Sequence, residues 1–400
     1  MRSIYLSAAA IWLAGVAAAW AGGNTVRIGV LNDQSGVFAD STGSGSTLAA
    51  QMAAEDFGGK VAGKPIEVIA ADHQNRPDVG AGIARRWFDL ENVDAIADLG
   101  NSAVALAVND IARDKNKVAL ISAGGTTALT GKNCTPNTVQ WTYDTWSQSS
   151  AIGKALVKAG HKKWYFLTAD YTFGYNLRDE TSKVVTANGG TVVGSVRHPI
   201  NSSDFSSYLL QAQASKADVI ALANGGNDTA NAIKQAQEFR IQQSGQIIVG
   251  LSTMITDIKA LGLVATQGLY VTETFYWDRT PETRAWSQRW SARNNGRYPT
   301  MMQAGVYAAV LHYLKAVQAV GSADNGARVV AKMKEMPTDD PLFGKGKILA
   351  NGRKIHDEFV FQVKKPEESK APWDFYKLIS TVPGDEAFLT LAESGCKLTH

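Results

Sequence analysis

The sequence predicts an α/β protein made of two doubly wound, parallel-sheet lobes joined by three hinge crossings. Three observations lead there. The chain has 400 residues, 45% of them hydrophobic and 19% charged, which is long for one core and suits two packed lobes. Short apolar runs alternate with amphipathic stretches from Val26 onward, and the same alternation restarts after Tyr143. Aromatic, turn-poor connections fall where two such halves would meet.

The first half opens on Val26-Arg27-Ile28-Gly29-Val30-Leu31, an apolar run of strand length. Residues 46–57 then place Leu48, Ala49, Met52, Ala53 and Phe57 on one helical face. Strands are expected at 65–70, 95–99 and 118–122, and helices at 79–90 and 103–112. Strands bounded by Gly, Asn and Asp and separated by helices indicate a parallel sheet covered on both faces. The second half continues with helices at 148–159, 174–188, 205–215 and 229–239, and strands at 164–168, 191–198, 219–223 and 247–250. Crossings are expected at 139–144, at 269–274 and at 347–363, the last carrying the hairpin signal Asn351-Gly352. The expected division is a signal peptide at 1–21, lobe one at 24–142 and 275–346, lobe two at 143–274 and 347–380, and a C-terminal tail at 381–400.

The signal peptide rests on a positive start at Arg2, an apolar stretch from Ile4 to Ala19 broken only by Ser7, and Ala19-Trp20-Ala21 as a small-x-small cleavage site. The apolar run is shorter than the ~20 residues of a membrane span. No cysteine stands near the cleavage site, which argues against a lipid anchor. A soluble, periplasmic mature protein is expected. Cys134 and Cys396, an even pair in an exported chain, are expected to form a disulfide. Net charge is +3 and no basic block is interleaved with aromatics, so nucleic acid is not an expected partner. The chain is expected to be a monomer.

Chemistry is sparse. The six histidines form no metal-ligand pattern, and no nucleophile elbow, P-loop or dinucleotide fingerprint appears. Neither metal nor cofactor is expected, and no enzyme activity. Asp72-His73 resembles a dyad, but adjacent strand residues point to opposite faces, leaving His73 a surface or hinge role. Three loop-to-helix junctions at strand ends are more informative: 33–40, 99–102 with Asn101 and Ser102, and 122–127 with Gly124 and Thr126. Free N–H groups and hydroxyls there suit a carboxylate, although Ser, Thr and Asn cap helices in any protein. Phe38, Tyr143, Tyr171 and Phe173 lie in loops that should face the cleft and could wall an apolar ligand. Core or hinge packing is the plainer role for Trp141 and Trp277.

The opening run with Ser35-Gly36 and Asp40, then Ala53-Ala54-Glu55-Asp56-Phe57, resembles the branched-chain amino-acid (leucine-binding-protein-like) class of type I periplasmic solute-binding proteins. So do Asp72-His73-Gln74-Asn75, Asn101-Ser102, Asp170-Tyr171-Thr172-Phe173-Gly174 and Ser203-Asp204-Phe205-Ser206, over roughly residues 25–363. The resemblance implies a receptor that closes on a small molecule and presents it to the permease subunits of an ABC importer. It implies Ser102 as carboxylate binder, Thr126 and the carbonyl of Gly124 as further ligand contacts, and Phe173 and Phe38 as aromatic walls. Amino-acid receptors of this class carry a glutamate after the strand ending at Gly250, where this chain has Leu251-Ser252-Thr253. The aromatic expected after 219–223 is replaced by Gly225-Gly226-Asn227-Asp228. Asp228 could meet an ammonium, whereas Asn227 and Ser252 suit a neutral or hydroxylated ligand. The expected ligand is a small carboxylate or amino-acid-like molecule, and of these a carboxylate without an α-ammonium, aromatic or hydroxylated, is favoured. A ligand-sensing regulator or a periplasmic enzyme on the same fold is the alternative.

Overall fold

The structure is a computed structural model that describes residues 24–399; the expected signal peptide lies outside the described residues. Both halves of the alternation form sheets. The first contains β1 (Val26–Asn32), β2 (Lys60–Val61), β3 (Lys64–Asp72), β4 (Ala95–Asp98), β5 (Val118–Ile121) and β6 (Thr138–Gln140). Their spatial order is β2-β3-β1-β4-β5-β6, and only the short β2 runs antiparallel. β1 needs apolar side chains on both faces, because Ile28 and Val30 join one core and Leu31 the other. Gly29 leaves room for Trp87, which a Cβ there would meet at 2.4 Å. Helices α1 (Gly43–Asp56), α2 (Pro77–Asp89) and α3 (Ser102–Asp114) connect these strands.

The second sheet contains β7 (Lys163–Ala169), β8 (Thr191–His198), β9 (Val219–Ala223) and β10 (Ile247–Gly250), all parallel, in the order β10-β9-β7-β8. Helices α4 (Thr145–Lys158), α5 (Thr172–Ala187), α6 (Ser206–Ala214) and α7 (Asn227–Glu238) accompany it, followed by the short α8 (Ile255–Leu261) and α9 (Leu263–Thr266). In both sheets the chain starts in the middle, builds one side and then crosses to the other. The switch lies between β1 and β4 in the first sheet and between β7 and β9 in the second. Loops leaving such a switch diverge and open a crevice at the carboxyl ends of the strands.

From β11 (Tyr270–Glu273) the chain returns to the first sheet through α10 (Pro281–Ala292), α11 (Met301–Val320) and α12 (Gly326–Glu335). α11 packs along α1, its start fixed by Thr300 and Gln303 in a reciprocal capping box. No described helix is long and apolar enough to cross a membrane. Two small antiparallel sheets were not anticipated. β12 (Thr338–Asp340), β13 (Gly344–Ile348) and β14 (Lys354–Ile355) form one. β15 (Glu358–Val363) and β16 (Tyr376–Val382) join β11 in the other. The Asn351-Gly352 signal does turn the chain between β13 and β14, with Gly352 at φ 88°. The tail adds α13 (Gly384–Ala387) and α14 (Leu391–Ser394), and Cys396 closes a disulfide with Cys134 across 262 residues, as expected.

The first and third crossings meet at Arg353, which is 1% exposed. Its guanidinium donates to the carbonyls of Tyr143 (3.1 Å), Thr142 (2.8 Å) and Lys354 (3.0 Å), and lies 3.5 Å from the Asp144 carboxylate. Glu358 stands beside it, held by the Ser147 hydroxyl at 3.0 Å, and burial pushes its carboxyl up to about 8. Removing one member of such a group strands buried charge, which typically costs about 3–5 kcal/mol, whereas an exposed pair contributes about 0–1. Arg353→Met is therefore expected to lower stability by about 3–5 kcal/mol. Arg289→Met, which breaks only the exposed pair with Asp56, should cost under about 1 kcal/mol. Urea denaturation of both variants checks the contrast, and equal losses would refute it.

Candidate ligand-binding cleft

Four loops from the two switch points converge on one space of about 320 Å³, its opening to solvent included. The loop after β1 is wound by Asp33. Its carboxylate accepts from the Gly36 N–H (2.7 Å), the Phe38 N–H (2.8 Å) and the Asn75 side-chain amide (2.5 Å), and so aims the Phe38 ring inward. Asp72 holds the same loop from the end of β3, accepting from Ser35 Oγ at 2.6 Å and Gln34 N at 3.2 Å. His73 is not a surface residue. It is fully buried, its Nδ1 accepts from Asn75 N at 3.1 Å, and burial pushes the ring down to about 4, so it is neutral.

The loop after β4 is strained. Asp98 and Leu99 both take left-handed conformations, φ 82° and 59°, which non-glycine residues seldom adopt in succession. The Asp98 carbonyl accepts from both Ser122 N and Ala123 N at 3.1 Å, and its carboxylate accepts from Asn32 Nδ2 at 2.9 Å. Burial pushes this carboxyl up to about 6. The kink delivers the start of α3 to the cavity. Asn101 serves as the cap, its Oδ1 accepting from Ala103 N and Val104 N, and it does not line the cavity. Ser102 does, and its hydroxyl is buried without a protein partner.

The loop after β5 contributes Ala123, whose carbonyl accepts from the Tyr143 hydroxyl at 2.8 Å. A Cβ on Gly125 would meet the rings of Tyr143 and Phe173 at 2.7 and 2.8 Å. The Gly124 carbonyl is engaged by Gln140 Nε2 at 2.8 Å. The Thr126 hydroxyl accepts from Ala128 N and donates to Asn176 of α5 at 2.7 Å. Neither Gly124 nor Thr126 lines the cavity.

Lobe two supplies Tyr171 and Phe173 at the start of α5, their ring centroids 6.0 Å apart, and Gly226 and Ser252 after β9 and β10. Asn227 and Asp228 stay outside. Asn227 donates its backbone N–H to the Val37 carbonyl across the cleft (3.4 Å). Asp228 accepts from Asn201 N at 3.2 Å inside its own lobe, and burial pushes it up to about 6. Thus Phe38, Ser102, Tyr143, Tyr171, Phe173 and Ser252 come together, whereas Asn101, Gly124, Thr126, Asn227 and Asp228 support the walls from behind or lie apart. Gly100, inside the 99–102 junction, and Ser41, directly after 33–40, complete the lining with Met254 and Met302, which carried no sequence signal. No charged side chain is among the lining residues.

The lobes are closed on this cavity. Besides the contacts of Thr126 and Asn227, Thr127 donates to Glu180 of α5. Gly226, at φ 60°, approaches so closely that a Cβ would stand 2.3 Å from the Val37 carbonyl.

Residues 25–370 match the model of the periplasmic binding protein family. A periplasmic binding protein from Burkholderia mallei is 49% identical, with a TM-score of 0.91 over 94% of this chain and 99% of its own. A branched-chain amino acid ABC transporter periplasmic ligand-binding protein from Burkholderia xenovorans is 40% identical, with a TM-score of 0.84 over 94% and 100%. At 21% identity, a solute-binding protein from R. palustris in complex with benzoate shares the fold, with a TM-score of 0.82 over 93% and 99%. With two parallel-sheet lobes closed on a cavity and a family match along nearly all the described chain, this protein belongs to the periplasmic binding protein family.

Proposed function

We propose that the chain captures a small carboxylate between its lobes and presents it to the permease subunits of an ABC importer, without catalysing a reaction. One observation carries the reading: the cavity pairs an unpartnered Ser102 hydroxyl at the start of α3 with aromatic walls from both lobes and no charged side chain. A helix start and a free hydroxyl favour an anion. An α-ammonium closed into the same space would lack a counter-charge. Asp228, the acid that could have served, stays outside the cavity lining, with one carboxylate oxygen bonded to the backbone of its own lobe and the other buried without a partner. The ligand is accordingly a carboxylate without an α-ammonium, its apolar part set against Phe38, Tyr143, Tyr171 and Phe173. The benzoate complex of the R. palustris protein supports the reading only in that the shared fold accommodates an aromatic acid. Export through the segment at 1–21 and function as a monomer belong to the same proposal.

Matched ligands test the class. By calorimetry, 4-methylpentanoate should bind more tightly than leucine, and 3-phenylpropionate more tightly than phenylalanine, with Asp228→Asn changing neither preference. Tighter amino-acid binding in both pairs, lost on Asp228→Asn, would overturn the assignment. Ser102→Ala should weaken carboxylate binding roughly ten- to hundredfold, the value of a hydrogen bond to a charged group, at an unchanged melting temperature. Unaltered affinity would place the anion elsewhere.

Affinity should also depend on pH through Glu180. Burial pushes this carboxyl up to about 7 in the closed form, with Asp144 adding to the effect and Thr127, Thr145 and Lys183 opposing it. Exposed on opening, it would titrate near ~4.3. Closing then takes up a proton between these values, so affinity is highest at the acid end and falls as pH rises through about 7. Glu180→Gln should flatten that part of the profile; a profile identical to wild type would exclude the residue.

A further inference from the structure

We propose that the C-terminal segment 383–396 is a strap across the hinge, anchored covalently to lobe one, that limits how far the ligand-free lobes open, with Phe388 as its positioning residue. The proposal rests on the reading that the lobes hinge about the cleft. It begins with where the tail is tied. Cys396 is bonded to Cys134, in the loop between Thr127 and β6. That same loop lies close under the tail: a Cβ on Gly131 would stand 2.7 Å from the Ser394 carbonyl. The loop also bears Thr127, which reaches Glu180 of lobe two when the cleft is shut. The covalent anchor therefore sits on the part of lobe one that moves against α5.

The other attachments are non-covalent and lie on the crossings and on lobe two. Phe388, 4% exposed, places its ring 4.6 Å from the Arg353 guanidinium and edge-on to His356 at 5.3 Å. The backbone of α13 lies against the third crossing, where a Cβ on Gly384 would come within 2.6 Å of the His356 carbonyl. Gly384 N donates to Asp357 at 3.3 Å. α13 packs on α4, and Glu393 lies in the field of Lys154 of that helix.

One segment thus touches lobe one, the hinge and lobe two. Opening moves α4 away from the loop that holds Cys134, so the tail must surrender its contacts with α4 and with the Arg353–His356 face, or hold the lobes back. Because the disulfide keeps the tail at high effective concentration, those contacts re-form with every closure. Phe388 fills the space over a buried cation, a position in which ring and charge attract. Arg353 in turn holds the Tyr143 backbone, and Tyr143 is a wall of the cavity. The strap therefore acts on the site through the hinge and touches no ligand.

The test needs no ligand. Spin labels at Gln34→Cys and Ser203→Cys, exposed in the loops after β1 of lobe one and after β8 of lobe two, report the lobe-to-lobe (lip) distance by double electron–electron resonance. The native cysteines are bonded to each other and take no label. Three ligand-free proteins are compared with wild type: Phe388→Ala, Phe388→Tyr, and Cys134→Ser with Cys396→Ser. Phe388→Ala and the double serine variant are expected to shift the distribution to longer distances, and Phe388→Tyr, which keeps the ring, to restore the wild-type distribution. Superimposable distributions for wild type and Phe388→Ala would overturn the strap. Phe388→Ala leaves the disulfide intact and decides the matter should the serine pair fold poorly. Whether any variant exceeds the closed lip distance reports separately on hinging itself.

Discussion

A buried guanidinium fixes the geometry of this protein. Arg353 is wholly enclosed where the first and third crossings meet, and its donors are spent on three backbone carbonyls and the Asp144 carboxylate. Burial lowers its affinity for the proton, but only to about 10, so it stays charged at neutral pH. With Asp144 and Glu358 both beside it, one cation faces two acids, and the upward shift of Glu358 lets the second keep its proton. A charge buried this way tolerates little displacement. It therefore holds the two crossings in register with each other.

From that junction the cleft follows by topology. Each sheet reverses its winding once, and the loops that leave the two reversals face one another. The lining they share with the loops after β5 and β6 is mostly backbone and ring: Gly100, Gly226 and Ala123 beside Phe38, Tyr143, Tyr171 and Phe173. Carboxylates are plentiful nearby, and four of them bond to the scaffold through at least one oxygen. Asp33 winds the first loop, Asp72 ties it down, Asp98 holds the kink after β4, and Asp228 fastens 201–202 within lobe two. The acids build the cavity and the neutral groups line it.

Closure depends on contacts that involve no ligand at all. Thr126 with Asn176, Thr127 with Glu180, and Val37 with Gly226 and Asn227 span the lobes. A ligand needs to supply only the remainder of the free energy that separates open from closed, since its differential affinity alone shifts that population. Thr126 illustrates how a polar residue beside a site can serve the closing motion without lining the cavity.

Much of this was legible in the residues. The alternation of apolar runs with helical stretches gave both parallel sheets, because a strand buried on two faces must be apolar throughout, as 28–31 and 219–223 are. The Asn351-Gly352 turn, the disulfide and the cavity-facing Phe38, Ser102, Tyr143, Tyr171, Phe173 and Ser252 were likewise readable, since turn chemistry, cysteine parity and strand-end position are local properties. Met302 and Met254 reach the cavity only because α11 and the start of α8 return to it from far along the chain. The antiparallel sheets of β11–β16 pair strands too short or too far apart for period alone to reveal. Orientation was the other blind spot. Asn101, Thr126 and Asp228 have the right chemistry at the right strand ends. Whether such a side chain meets a ligand, caps a helix or binds a neighbouring loop depends on which backbone groups three-dimensional packing leaves unsatisfied. Sequence determined where polar groups gather; the tertiary structure decided which of them were already taken.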